Sequence, residues 1–240
     1  MAIAPGFRAW QQRNVVEHRD PNYAAVVVSL KRENIAPGDA TSDEMDQLAD
    51  IADRYSFGEI RVTHQQNLVL PNVSRARLQD LWAELEANNL GRANIGLASD
   101  IICCPGGDFC SLANAKSIPV AQSIQERFED LDYLNDIGEI DINISGCMNA
   151  CGHHHIGHIG ILGVDKHDEE WYQIEIGGNQ GEVRPGVKGS LGKAIGPSFA
   201  RADVPDVIER LIKCYLEHRD SDAERFIEVV RRIGHDPFKD

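Results

Sequence analysis

Two closely spaced pairs of cysteines constrain the fold of this 240-residue chain more than any other feature of its sequence. The first pair is Cys104 and Cys110, in CPGGDFC, and the second is Cys147 and Cys151, in CMNAC. A short apolar run that is typical of a β-strand precedes each pair. We therefore expect both cysteine loops at one edge of a sheet, where α/β folds commonly place their sites.

Four thiolates at one site favour a soft metal centre, either an iron–sulfur cluster or zinc. Structural zinc sites usually place about two to four residues between paired ligands. Five residues, Gly106 and Gly107 among them, separate Cys104 from Cys110. Glycines in such a wide loop let backbone amides approach sulfur atoms and adjust the potential of a cluster. The spacing therefore favours an iron–sulfur cluster and leaves zinc as the alternative.

The charge and hydropathy of the chain exclude several other functions. The formal net charge is −14 at pH 7, and residues 121–240 contribute −10 of it, so the surface should repel nucleic acid. No apolar run is long enough to span a membrane, and the first ten residues lack the apolar core of a signal peptide. We expect a cytoplasmic protein that binds neither nucleic acid nor membranes, in which disulfides are not favoured.

The order of predicted elements divides the chain near residue 92. Residues 20–90 predict the order β-α-β-α, with a capping box of Thr41 and Glu44 at the first helix. Residues 59–70 predict a strand that can bend near Gln65. A second α/β unit follows, with a helix over residues 120–131, paired strands and two C-terminal helices. The predicted fold class is α+β or α/β, with one domain over residues 1–92 and a second over residues 93–240.

Several residues near the cysteine pairs have simpler interpretations. Cys103 and Cys214 do not fit the spacing and are predicted to be small packing residues. Four histidines follow the second pair, namely His153, His154, His155 and His158. Neighbours on a strand alternate sides, so three consecutive histidines cannot all face one metal from a strand. We expect these histidines to face solvent or to line a cofactor.

The segments CPGGDFCSLANAKS and INISGCMNACGHHHIGHIG resemble the cluster-binding half of the sirohaem-dependent nitrite and sulfite reductases. The segment EIRVTHQQNLVL resembles a strand motif in the ferredoxin-like half-domain of the same family. The resemblance covers nearly the whole chain and is strongest to the haemoprotein subunits of bacterial assimilatory enzymes. It implies a ferredoxin-like half-domain followed by an α/β cluster-binding domain.

The resemblance also implies cofactors and site residues. Its motif assigns four cysteine ligands to a [4Fe–4S] cluster: Cys104, Cys110, Cys147 and Cys151. Cys151 is further implied as the bridge to the iron of sirohaem, while Gln66, Asn67 and Asn149 are implied as cofactor-binding positions. The implied reaction is the six-electron reduction of sulfite to sulfide, or of nitrite to ammonia, with sulfite favoured. The implied electron donor is a flavoprotein or a ferredoxin, and the acidic second half favours a non-ferredoxin donor or a separate basic surface.

The chain departs from the family in one respect. Typical members carry two such halves, and the other half supplies most of the basic residues that hold sirohaem and the substrate anion. Within the motif segments only Arg61 and Lys116 are basic, apart from histidines. This chain is therefore expected to be one half of an enzyme, completed by a missing N-terminal half or by a homodimer partner. Two alternatives remain, an iron–sulfur electron-transfer module without haem and a zinc-stabilised binding domain.

Overall fold

The computed structural model describes residues 5–181 and 188–239. It divides into two compact units, residues 1–95 and residues 96–240, each with its own hydrophobic core. Within the described residues, no helix is long and apolar enough to cross a membrane.

The first unit packs helices against a four-stranded antiparallel sheet of order β1-β2-β4-β3. Its strands are β1 (Val15–Glu17), β2 (Tyr23–Val28), β3 (Arg61–Val62) and β4 (Leu68–Ser74), and its helices are α1 (Pro5–Asn14), α2 (Ser42–Tyr55) and α3 (Leu78–Ala87). Alternate residues of β2 are buried, as expected for a sheet with one covered face. The capping box that begins α2 is confirmed, because Thr41 Oγ1 accepts from Glu44 N and Glu44 Oε2 accepts from Thr41 N.

The segment 59–70, predicted as a strand with a bend near Gln65, is interrupted by a full turn at that bend. The segment folds into an antiparallel hairpin of β3 and β4, and Gln66 in its turn adopts a left-handed φ of 60°. β4 then continues past residue 70, where the predicted strand ended, and includes Pro71. The pairing of β2 with β4 shifts register between Ala24 and Val26, and Pro71 lies opposite this bulge, where a missing N–H is tolerated.

The second unit is built on a six-stranded mixed sheet of order β10-β8-β7-β6-β5, with β9 paired to β8. Its strands are β5 (Ile102–Cys103), β6 (Ile142–Ser145), β7 (Ile159–Lys166), β8 (Glu169–Ile176), β9 (Lys193–Ala194) and β10 (Phe199–Ala200). Its helices are α4 (Ile118–Arg127), α5 (Leu131–Ile137), α6 (Val204–His218) and α7 (Phe226–Ile233). All four residues of β6 are buried, as is typical of an interior strand covered on both faces.

Local signals explain two features of this unit. The helix predicted over residues 120–131 forms as α4 but ends earlier, at Arg127, and Asp130 instead caps α5 by accepting from the N–H groups of Asp132 and Tyr133. The predicted strand pair is confirmed as the antiparallel hairpin of β7 and β8. Its two-residue turn places His167 and Asp168 at φ 59° and 63°, which matches the twist of the flanking strands.

Candidate metal centre

The four paired cysteines line one pocket in the second unit. β5 and β6 are parallel neighbours, so the loops that follow them emerge at the same edge of the sheet, as the sequence predicted. The pocket has a volume of about 90 Å³. Its lining consists of the four cysteines and six further residues, namely Pro105, Gly106, Leu112, Ala113, Gly146 and Asn149.

Hydrogen bonds fix the first cysteine loop and the sulfur of Cys104. Gly146 N donates to Cys104 Sγ at 3.1 Å, and the hydroxyl oxygen of Ser117 lies 3.5 Å from the same sulfur. Cys110 N donates to the carbonyl oxygen of Gly106, which closes the loop between the two cysteines. An amide and a hydroxyl directed at a thiolate stabilise its negative charge, and in an iron–sulfur site such contacts adjust the reduction potential.

The second cysteine loop is held tightly against β6. Gly152 N donates to Ser145 Oγ at 3.1 Å, and a Cβ atom at Gly152 would lie only 1.9 Å from the carbonyl oxygen of Ile144. A Cβ atom at Gly146 would lie 2.6 Å from the carbonyl oxygen of Ala115. Only glycine permits these close backbone approaches. Sequence reasoning missed the roles of Gly146 and Gly152, although both are direct neighbours of cysteines in the motif.

The arrangement of the sulfur atoms tests which metal centre the pocket fits. All four cysteines lie in the described part of the chain, and no three of their Sγ atoms lie within 4.8 Å of one another. A zinc ion bonded to sulfur at about 2.3 Å in a tetrahedron requires Sγ atoms about 3.8 Å apart. The four sulfur atoms therefore surround the pocket but lie too far apart to bind one zinc ion together. Four separated thiolates around a cavity fit a multinuclear cluster, in which each thiolate binds a different iron.

The pocket is partly open and its rim is apolar. Cys104 and Cys147 are each 8% exposed, whereas Cys151 is exposed. Three large apolar side chains in or beside the two loops are also exposed to solvent, namely Phe109, Leu112 and Met148. Exposed apolar groups beside a site commonly mark a surface that another molecule covers.

The basic side chains that the sequence singled out already form ion pairs with carboxylates. Lys116 Nζ lies 3.0 Å from Asp108 Oδ1, in an ion pair that neutralises the one lysine of the motif. In the first unit, Arg61 likewise pairs with Glu59 at 2.7 Å. The two basic residues that the sequence singled out are therefore both paired with carboxylates.

The other predicted site residues lie in different places. Asn149 lines the cysteine pocket. Gln66 and Asn67 lie in the hairpin turn of the first unit, where Asn67 is buried and its side-chain oxygen accepts from Leu30 N at 3.1 Å. This contact gives Asn67 a structural role in its own unit. A cofactor-binding role for these three residues stays a prediction.

The two cysteines outside the two motif pairs do not line the pocket. Cys103 is 3% exposed, belongs to the core of the second unit and donates from its thiol to the carbonyl oxygen of Cys104. Cys214 packs against the same core from α6, and burial raises the pKa of its thiol. Both positions agree with the packing roles that the sequence predicts.

Two of the four histidines do not face solvent, and a cofactor-lining role for them stays a prediction. His154 is fully buried, and His158 is nearly so, with its Nδ1 accepting from Asp141 N at 3.1 Å. The reason is local: residues His154–Ile156 form a 3₁₀ turn instead of a strand, so the alternation rule does not hold there. Burial, and to a lesser degree the neighbouring His155, lowers the pKa of His154 to about 4.

Comparison with protein families identifies the class of both units. Residues 17–88 match the nitrite/sulfite reductase ferredoxin-like half domain, and residues 98–240 match the nitrite and sulphite reductase 4Fe-4S domain. The second match covers more than half of the chain. The chain therefore belongs to the nitrite and sulfite reductase family, and the fold class that the resemblance implies is confirmed.

Individual relatives agree with this assignment. The chain is 28% identical over 220 residues to a ferredoxin–nitrite reductase of Synechococcus elongatus, and 29% identical over 222 residues to a ferredoxin-type sulfite reductase of Mycobacterium tuberculosis. Each alignment covers 88% of this chain but only 40% and 39% of the relative. The chain thus spans about two fifths of the length of these curated relatives.

Solved structures show the same relation. The Mycobacterium tuberculosis NirA protein superposes with a TM-score of 0.72 at 28% identity, over 94% of this chain and 41% of that chain. Dissimilatory sulfite reductase I superposes with a TM-score of 0.70 at 13% identity, over 90% of this chain and 68% of that one. At that low identity the second match supports the fold alone.

Proposed function

We propose that this chain binds a [4Fe–4S] cluster through Cys104, Cys110, Cys147 and Cys151, and that with sirohaem it forms the centre of a sulfite or nitrite reductase. The observation that carries the proposal is the arrangement of these four cysteines around one pocket without convergence on a single point. When bound, the two cofactors would pass six electrons, a few at a time, from an external donor to the substrate, so that with protons sulfite is reduced to sulfide or nitrite to ammonia.

The cysteines and their neighbours differ in exposure and are therefore suited to different contacts with the cofactors. Cys104 and Cys147 are nearly buried and are suited to hold the inner side of the cluster. Cys151 is exposed, so its thiolate is suited to reach a second cofactor outside the pocket. The apolar side chains of Leu112 and Met148 beside it are suited to contact the flat face of a macrocycle. Asn149, on the same loop, is proposed to contribute a polar contact there.

Sirohaem and the substrate both need positive charge, and the one lysine of the cysteine motifs is already in an ion pair. Sirohaem is a polycarboxylate and sulfite is an anion, and an unpaired charge in a dry site costs several kcal/mol. Lys116 is paired with Asp108, and the chain has a net charge of −14. We propose that a second protein surface, from a missing half or a homodimer partner, supplies this positive charge, while a cofactor-binding role for Gln66 and Asn67 of the first unit stays a prediction.

The relatives guide the choice of substrate and donor. We take sulfite as the first substrate to test and a ferredoxin as the first donor, because the mycobacterial relative is named as a ferredoxin-type sulfite reductase. Nitrite is the alternative substrate, because the cyanobacterial relative is named as a ferredoxin–nitrite reductase. A flavoprotein is the alternative donor, since the acidic second half would repel an acidic ferredoxin.

The proposal is tested by reconstituting the chain with iron, sulfide and sirohaem, and recording its visible spectrum and its iron, sulfide and zinc contents. The proposal predicts cluster absorption together with sharp haem bands. A cluster without haem bands would support an electron-transfer module instead. A colourless protein that binds zinc at its cysteines would support a zinc-stabilised domain.

The Cys151→Ser variant tests the bridging role. We expect the spectra of both cofactors to change together, because one thiolate serves both metal centres. Cys214→Ser is the matched control, since it removes a cysteine that does not line the pocket, and we expect both spectra to remain unchanged. A Cys151→Ser variant in which only one centre responds would disprove the bridge. We expect the reconstituted chain alone, as a monomer, to reduce neither sulfite nor nitrite with electrochemically reduced methyl viologen, because a second protein surface is proposed to complete the site. Turnover by the monomeric chain alone would contradict that part of the proposal.

A further inference from the structure

A second group of potential metal ligands lies outside the cysteine pocket. His154, His155 and Glu175 each direct one ligand atom into a common space, and these three atoms all lie within 4.8 Å of one another. The histidines belong to the 3₁₀ turn that precedes β7, and the glutamate belongs to β8. None of the three residues lines the cysteine pocket.

His154 is the least satisfied of these side chains. It is fully buried, and neither of its ring nitrogens has a hydrogen-bond partner among the residues that the structure describes. An unsatisfied polar group in a protein interior costs about 1–3 kcal/mol. The ring of His154 lies against that of His155, with centroids 3.8 Å apart. A metal ion bonded to one ring nitrogen of His154, and shared with His155 and Glu175, would satisfy the buried imidazole.

The spacing of the other two ligands already suits a small metal ion. His155 Nδ1 lies 3.2 Å from Glu175 Oε2. A tetrahedral zinc ion with nitrogen and oxygen ligands at about 2.0–2.1 Å holds those ligands about 3.3 Å apart. The third atom, within 4.8 Å of both, therefore needs to approach by at most about 1.5 Å.

The backbone around the histidines is rigid enough to position them. The carbonyl oxygen of His155 accepts from Gly192 N at 2.8 Å. A Cβ atom at Gly160 would lie 2.2 Å from the carbonyl oxygen of His154, so the turn packs directly on β7. The side chain of Glu175 is only 13% exposed, whereas that of His155 is 47% exposed. One side of the group is thus fixed in the protein and the other is open to solvent.

We propose that His154, His155 and Glu175 bind a divalent first-row transition metal ion, of which zinc is the representative. Two imidazoles and one carboxylate suit zinc and its neighbours better than magnesium or calcium, which prefer oxygen ligands throughout. The open side leaves a fourth position for water. The ion would tie the 3₁₀ turn to β8, and this inference does not depend on the proposed redox function.

Zinc binding to the reconstituted chain tests the proposal, with zinc added after the cysteine pocket is loaded. We expect one zinc ion per chain with only nitrogen and oxygen neighbours in its X-ray absorption spectrum. His155→Ala and Glu175→Gln should each weaken binding at least tenfold. Both altered side chains are partly exposed, so these variants should fold.

His153→Asn is the matched control, because it removes an adjacent exposed imidazole and keeps a residue type that tolerates the left-handed φ of 54° there. Its zinc affinity should equal that of the parent chain. Sulfur neighbours of the zinc, unchanged affinity in both ligand variants, or the absence of any bound zinc would each overturn the proposal. Sulfur neighbours would show that zinc occupies the cysteine pocket, so that result would also contradict the cluster assignment. The other two outcomes would contradict only the histidine and glutamate site.

Discussion

Gly152 offers a sharp test of how the cysteine loop is held. It follows Cys151 directly, and a Cβ atom there would lie 1.9 Å from the carbonyl oxygen of Ile144 in β6. Real Cβ atoms essentially never come closer than 3.0 Å to such an atom, so Gly152→Ala must move the loop by about 1.1 Å. The strand is buried on both faces and cannot retreat, so the movement falls on the loop that carries Cys151.

The expected loss of stability follows from two contacts. Overpacking a tight backbone approach costs about 1–3 kcal/mol. The hydrogen bond from Gly152 N to Ser145 Oγ, 3.1 Å long, is worth about 1 kcal/mol and is lost when the loop moves. Gly152→Ala should therefore lower the free energy of unfolding by about 2–4 kcal/mol. Displacement of Cys151 by about 1 Å should also lower the iron bound after reconstitution.

The assay combines thermal unfolding, followed by circular dichroism, with iron and sulfide analysis of the reconstituted chain. Gly196→Ala is the matched control, because Gly196 lies in the same unit, is exposed and would place its Cβ atom in open space. We expect the control to match the parent chain in both measurements. The reasoning is refuted if Gly152→Ala keeps the parent iron content and melting temperature, or if Gly196→Ala loses iron to the same extent.

Two further predictions concern residues away from the cysteine pocket. Cys103→Ala should leave the iron content unchanged and lower the free energy of unfolding by about 1–3 kcal/mol, because Cys103 belongs to the core. Iron analysis and denaturant unfolding measure these two effects. Loss of iron would make Cys103 a ligand in place of Cys104. The guanidinium of Arg32 holds the pKa of Glu44 at about 2, below its usual 4.5. Above pH 4.5 the ionised carboxylate therefore contributes up to about 3 kcal/mol to the free energy of unfolding. This contribution is lost as the pH falls toward 2. Glu44→Gln should therefore be about 3 kcal/mol less stable than the parent at pH 7, and more than half of that difference should be gone at pH 3. Denaturant unfolding at the two pH values measures the difference. An equal difference at both would contradict the lowered pKa of Glu44.

Local sequence signals determined much of the fold. The Thr41–Glu44 capping box predicted the start of α2, because both of its hydrogen bonds form within four residues. The apolar runs before the cysteine pairs predicted adjacent strands that end at one edge of a sheet. The same local reasoning placed a bend near Gln65 but not the full turn of a hairpin, and it extended a helix through Asp130, which caps the next one.

Sequence alone also singled out the four cysteines, because their spacing within each loop is a local property. It did not show whether their sulfur atoms converge, since that depends on the pairing of β5 with β6 and on loops held by long-range contacts such as Gly146 N to Cys104 Sγ. The grouping of His154 with His155 and Glu175 also needed the tertiary structure. Glu175 is distant in sequence, and only the packing of the 3₁₀ turn beside β8 brings its carboxylate to the two imidazoles.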